Sequence, residues 1–284
     1  MKNKVRATMH GAISIVNAIA TGNGAALGIS LKVTADVDIT DGSGIKILTM
    51  DENNLIRRIV YNILPKQIIS ENSVNVSIKS EIPVSFGLKS SSAVSNAVSL
   101  ACWKLITDEI DDEVVLESAV RASLDAKVSV TGAYDDSTAC YFGGFVITNN
   151  YARKLIRHER APKNLYAIIF LPANSFRGNI NQLSIISDLF FDAFKLAEGG
   201  EYWKAMKLNG IIVSAALSAK YEPALAALQK GALSASISGN GPSVAAVTYE
   251  DRIDDIKLAF SQFNGTIIVS KINNQKASVE EIFG

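Results

Sequence analysis

Two adjacent carboxylates, Asp135 and Asp136, sit in the run TGAYDDSTACYFGG, after Gly132 and before the pair Gly143-Gly144. A carboxylate beside an alcohol can accept its proton while the oxygen receives a phosphoryl group. Sequence neighbours do not face each other on a helix. One of the pair can therefore point into a cleft while the other caps or faces solvent. The same residues also read as the acidic first turn of a helix. A second stretch, PVSFGLKSSSA (Pro83–Ala93), is a loop opening onto a helix, because consecutive serines are poor helix interior but good helix start. Unpaired N–H groups and the positive end of the dipole attract anions there, and Gly87 lets backbone approach a phosphate. Hydroxyls of Ser90, Ser91 and Ser92 can cap the helix, contact phosphate or reach a Mg²⁺ ion. Lys89 follows Leu88 rather than a glycine, so this is not a Walker A loop. Lys89 itself reads as a phosphate contact or a solvated side chain. A third stretch, Ser238-Gly239-Asn240-Gly241-Pro242-Ser243, lies between two strand-like runs. It reads as a hairpin turn or as a loop that closes over phosphate or lines a substrate cleft.

The elements around these stretches follow from apolar spacing. LGISLKVTADVDIT (Leu27–Thr40) alternates as a strand, DGSG (Asp41–Gly44) is a hairpin turn signal, and IKIL continues as strand. Asn53–Leu64 has helical spacing and stops at Pro65. Ser73–Ser80 alternates again, a helix runs from about Ser90 to Ile106, and Asp111–Val128 is a further helix with acidic residues in its first turn. The run after Gly143-Gly144 ends in a strand. The polar segment near 149–163 is the candidate junction between a domain of residues 1–150 and one of residues 151–284. Beyond it come a buried strand at Leu165–Pro172, helical stretches at Asn181–Glu198 and Tyr202–Ser218, a short helix after Pro223, two strands around the glycine loop, a helix at Asp254–Phe263 and a last strand. That order suits a split β-α-β sandwich with helices on one face of an antiparallel sheet.

The chain has 284 residues, 48% of them apolar, and 28 basic residues balance 28 acidic ones. A net charge of zero without a basic block argues against nucleic-acid binding, which needs many phosphate contacts. Cys102 and Cys140 have no metal-type spacing, and a reducing cytoplasm fits them. Residues 7–31 carry no formal charge apart from His10, and AIA at Ala18–Ala20 mimics a signal-peptidase site. Ser14 and Asn17 interrupt the apolar core, however, and the remainder is rich in Gly and Asn, short of the ~20 apolar residues of a span. The better reading is a segment whose backbone approaches something closely, and no membrane partner is expected.

In combination, PxxxGLxSSSA, GxxDD…GG and SGxGPS resemble the motifs of the GHMP small-molecule kinases, and the resemblance spans nearly the whole chain. It implies an α+β, two-domain fold: an N-terminal domain like ribosomal protein S5 domain 2 that binds nucleotide, and a ferredoxin-like split β-α-β C-terminal domain. It implies ATP and Mg²⁺ as cofactors. The residues it assigns to the nucleotide are Pro83, Ser85, Gly87, Leu88, Lys89, Ser90, Ser91, Ser92 and Ala93, with Ser91 as metal ligand. The family's catalytic carboxylate precedes the paired glycines by seven residues, which selects Asp136 as base; Asp135 is then a substrate or Mg²⁺-shell contact. The opening run HGAISIVNAIATGNGAALGI is similar to that of archaeal-type shikimate kinases, which implies phosphorylation of the shikimate 3-hydroxyl. Mevalonate kinases carry a lysine in this region that has no clear equivalent here. His10, Gly11, Asn17, Thr21 and Gly22 would line the acceptor pocket, with Ser238, Gly239, Asn240 and Gly241 closing it. Arg177 is the candidate cation for the shikimate carboxylate, with Asn209 a weaker candidate contact. The competing readings are a homoserine or mevalonate-pathway kinase and, from another class, a non-catalytic nucleotide-binding protein.

Overall fold

The computed structural model describes residues 3–51, 54–174 and 178–282. The chain opens on β1 (Lys4–Val16) and returns as the long β2 (Asn23–Asp41). There follow β3 (Gly44–Ile47), α1 (Leu55–Ile63), α2 (Lys66–Glu71) and β4 (Asn72–Ser80), then α3 (Ser90–Ile106), α4 (Asp112–Asp125), α5 (Tyr134–Phe142), β5 (Phe145–Asn149) and β6 (Lys154–Glu159). The rest runs β7 (Leu165–Pro172), α6 (Ser187–Glu198), α7 (Tyr202–Leu217), α8 (Glu222–Gln229), β8 (Ser234–Ile237), β9 (Val244–Tyr249), α9 (Ile253–Phe260), β10 (Gly265–Lys271) and β11 (Ser278–Glu281).

β1 to β6 and β11 form one seven-stranded sheet. β2 lies along β1 on one edge, and its other edge is shared: Asn23–Leu27 pair with β5 and Val33–Asp41 with β4. That sharing explains a departure from expectation. Because β4 already occupies the edge of β2, the DGSG turn makes no hairpin, and β3 pairs in parallel with the outer side of β4. The uncharged N-terminal run is the central strand pair of this sheet. Ala12, Ile13, Ile15, Val16 and Ala25–Leu27 are fully buried, with α3 and α5 packed on the pair. No helix among the described residues is long and apolar enough to cross a membrane.

The second sheet has the order β10-β7-β9-β8, all antiparallel, with helices inserted between β7 and β8 and between β9 and β10. This is the expected split β-α-β arrangement. β7 is apolar and buried at almost every position, as a central strand must be. Its first helix starts later than expected, since Ile180–Ile186 form a 3₁₀ helix ahead of α6. β6 and β11, both beyond residue 150, belong to the first sheet. The sheets meet where Phe145 of β5 stacks on Tyr202 of α7, ring centroids 4.0 Å apart, while the Tyr202 hydroxyl donates to Glu159 at 2.7 Å.

Candidate active site

A cavity of about 420 Å³ is bounded by the starts of α3 and α5 and by the Gly239–Gly241 loop, so the three motif stretches all reach it. Its first wall is the start of α3. Lys89 stands in the left-handed region at φ 67°, and no side chain caps the helix. Ser90, Ser91 and Ser92 line the cavity, so the positive end of the α3 dipole forms part of the wall. Pro83, Ser85, Gly87, Leu88 and Lys89 complete this wall, whereas Ala93 is buried behind it and donates its N–H to the Lys89 carbonyl at 3.0 Å.

The C-terminal glycine loop holds that wall from behind. Ser238 Oγ donates to the Gly87 carbonyl at 2.8 Å, and Ser243 Oγ to the Phe86 carbonyl at 2.6 Å. Gly87 has φ +77°, and a Cβ there would collide with the Ser238 carbonyl oxygen. The loop is fixed in turn to β1. The Gly239 N–H donates to Ser14 Oγ at 2.9 Å, and Asn17 Nδ2 donates to the Gly239 carbonyl at 3.1 Å and to Asn240 Oδ1 at 2.8 Å. Asn209 Oδ1 accepts the Asn17 N–H at 2.9 Å from the far side. Ser14 and Asn17, the residues that break the apolar run, are thus the polar seam between the domains.

The second wall is α5. It begins after Gly132 and Ala133, both at positive φ, and ends at Gly143 and Gly144, also at positive φ. The paired glycines are packed against backbone: the Gly144 N–H donates to the Asn273 carbonyl at 2.7 Å, and its carbonyl accepts the Gly28 N–H at 3.0 Å. Side chains there would strike Asn273 and Glu159. Asn96 of α3 donates to the Ser137 carbonyl at 2.8 Å, fixing α5 beside the serine loop.

Both aspartates line the cavity. Asp136 Oδ1 lies 2.9 Å from Lys89 Nζ in a pair largely withdrawn from solvent. Lys89 is therefore not solvated. Burial pushes its pKa down, but Asp136 and then Asp135 outweigh that, and the net shift is upward. Asp135, 4% exposed, lies deeper. Burial, then the neighbouring Asp136, push its pKa up to about 7, against the opposing pull of Lys89 and Asn150. Gly24 makes room for it, since a Cβ there would overlap the Asp135 carboxyl.

Other expected acceptor residues stand apart. Thr21 and Gly22 form the turn behind Asp135, where the Gly22 carbonyl accepts the Asn150 N–H at 2.7 Å. His10 and Gly11 flank a bulge in β1 and do not line the cavity. Burial, then Lys32, lowers the His10 pKa. Arg177 lies outside the described residues. Conversely, Ser123, Lys127, Thr131 and Ile180 line the cavity without any local pattern that would have marked them.

The donor set fits a nucleoside triphosphate at the uncapped α3 start. It also fits a Mg²⁺ ion carried in on phosphate oxygens, as that ion usually binds. Among the described residues no cluster of three His, Cys, Asp or Glu side chains could hold a metal alone.

Two family models match the chain, GHMP kinases N terminal domain over residues 54–144 and GHMP kinases C terminal over residues 199–265. The shikimate kinase of Methanobrevibacter smithii is 36% identical across 96% of this chain and 98% of its own length. That of Pyrococcus furiosus is 39% identical across 91% of this chain and 96% of its own. The solved homoserine kinase of Cytophaga hutchinsonii shares the fold, with a TM-score of 0.78 at 20% identity over 99% of this chain and 98% of that one.

Proposed function

The chain belongs to the GHMP kinases, and on that footing we propose that it phosphorylates the 3-hydroxyl of shikimate with ATP as donor, releasing 3-phosphoshikimate and ADP. The observation that carries the reading is the Lys89–Asp136 pair standing beside the start of α3, within one cavity. Curated relatives named shikimate kinase, covering nearly the full chain, support the acceptor.

ATP supplies the γ-phosphoryl group when bound, and Mg²⁺ spreads the charge on its oxygens. The first-turn N–H groups of α3 and the Ser90–Ser92 hydroxyls hold the phosphates, with the exposed Ser91 hydroxyl as cation ligand. Asp136 orients the 3-hydroxyl and takes its proton as the new O–P bond forms and the bond to the departing ADP oxygen breaks. Lys89 fixes Asp136 and places an ammonium beside that carboxylate, where negative charge shifts during transfer. Asp135 receives a second hydroxyl of the acceptor. Lys127, at the cavity rim, is a further cation in reach of an anionic ligand. Little covalent chemistry falls to the protein, and most of the acceleration comes from positioning.

ADP release measured with shikimate, homoserine, mevalonate and galactose tests the reading. Release that depends on shikimate supports it. Release with homoserine or mevalonate instead would reassign the acceptor. Nucleotide binding without release on any acceptor would leave a non-catalytic nucleotide-binding protein.

A further inference from the structure

Asn150 is 1% exposed at the end of β5 and uses its whole amide on one neighbourhood. Its Nδ2 donates to Asp135 Oδ1 at 2.8 Å and to Thr131 Oγ1 at 3.1 Å. Its Oδ1 accepts the Asp135 N–H at 3.0 Å and the Thr148 hydroxyl at 2.8 Å. Asn150 thus grips Asp135 by both backbone and side chain, and its own N–H is anchored on Gly22. With Oδ1 taken and Gly24 leaving just enough space, the Asp135 carboxyl has one orientation at the cavity wall.

We propose that Asn150 is a positioning residue of the acceptor site: its side-chain donor holds the Asp135 carboxyl in place as an acceptor for a substrate hydroxyl next to the one that is phosphorylated. The assignment rests on the proposed kinase reading. A vicinal polyol needs such a second carboxylate, because one hydrogen bond leaves a ring free to rotate about it. The geometry divides the labour, Asp136 with its lysine facing the reacting oxygen and Asp135 with its asparagine facing the neighbour. The charged and titratable groups around Asp135 are Asp136 on the same helix, Lys89 at the start of α3 and the buried Cys140 thiol. Among these Lys89 is the lone cation, and it already pairs with Asp136. Beside the Asp136 backbone N–H, the neutral amide of Asn150, just past β5, is the donor that favours the Asp135 anion.

Asn150→Asp tests this with an isosteric change. It keeps the acceptor for the Asp135 N–H and Thr148 but replaces the donor with a carboxyl oxygen. The expected result is an acceptor KM raised at least tenfold near pH 7 with kcat changed much less. The acid limb of kcat/KM for shikimate should move at least one unit toward alkaline pH. An unmoved limb, or equal loss of kcat and kcat/KM at every pH, would overturn the proposal. The swapped pair Asn150→Asp with Asp135→Asn restores a carboxylate–amide contact with the charge relocated. Recovered melting temperature without recovered KM is expected; recovery of both would mean a structural role only. Titration of Asp135 by carboxyl ¹³C NMR, assigned with Asp135→Asn, needs no acceptor. Its midpoint should rise in Asn150→Asp, and an unchanged midpoint sinks the proposal. If wild type ignores shikimate while this midpoint moves, the shikimate reading fails and the Asn150–Asp135 coupling stands.

Discussion

Lys89 and Asp136 make a buried pair whose members cannot be removed singly without leaving a charge alone. Breaking such a pair typically costs about 3–5 kcal/mol. Lys89→Met should therefore lower both stability in urea and turnover, whereas the double variant with Asp136→Asn should regain stability and stay inactive. A double variant as unstable as Lys89→Met would show that the charge pairing is not what matters. Asp136→Asn alone should cut kcat by about 10²–10⁴-fold, the usual worth of a positioned base, with the fold intact by circular dichroism. Near wild-type turnover would move the base to Asp135. Asp135 also carries a stability signature. Its folded pKa of about 7 stands above the ordinary 3.8, so the native state holds a proton that the unfolded chain releases. The stabilisation from that proton is complete below about pH 3.8 and is lost as pH rises through about 7. Asp135→Asn should remove it, so that urea midpoints at pH 5 and pH 8 converge and the variant exceeds wild type at pH 8.

The elements that hold these residues differ in how plainly they could be read. Three serines after a glycine announced α3, and the unbroken apolar run of Leu165–Pro172 announced β7, because each signal is local. α5 is nine residues long and begins from a left-handed alanine, so neither length nor cap marks it, and its acidic first turn is the one local sign of a helix. The parallel seat of β3 depends on which neighbour already occupies β2, a non-local fact. Asn150 looks like an ordinary strand-end asparagine until Gly22 and Asp135 are brought to it. At this scale the serine loop gives a direct test. Gly87→Ala forces a Cβ against the Ser238 carbonyl at a φ that alanine avoids. The ATP KM should rise at least tenfold, with shikimate binding measured by calorimetry little changed. Equal loss of both would point to a general collapse of the site.

Across the molecule, the seam of Ser14 and Asn17 with Ser238–Asn240 makes the two sheets' cores depend on each other. Calorimetry of the full chain should show one unfolding transition, raised by Mg·ATP. Asn17→Ala, which strands the Gly239 carbonyl and Asn240 Oδ1 of the glycine loop, should lower or split that transition. An unaltered single peak would mean that the seam contributes no coupling.

The placement of β11 bears on how the enzyme is born. β1 gains its outer neighbour from residues 278–281, and the glycines that end α5 rest on Asn273. Every proposed catalytic group has left the ribosome long before those residues have. A nascent chain thus carries the complete chemistry yet lacks the backbone that seats it, and phosphoryl transfer waits until residues 273–281 have followed.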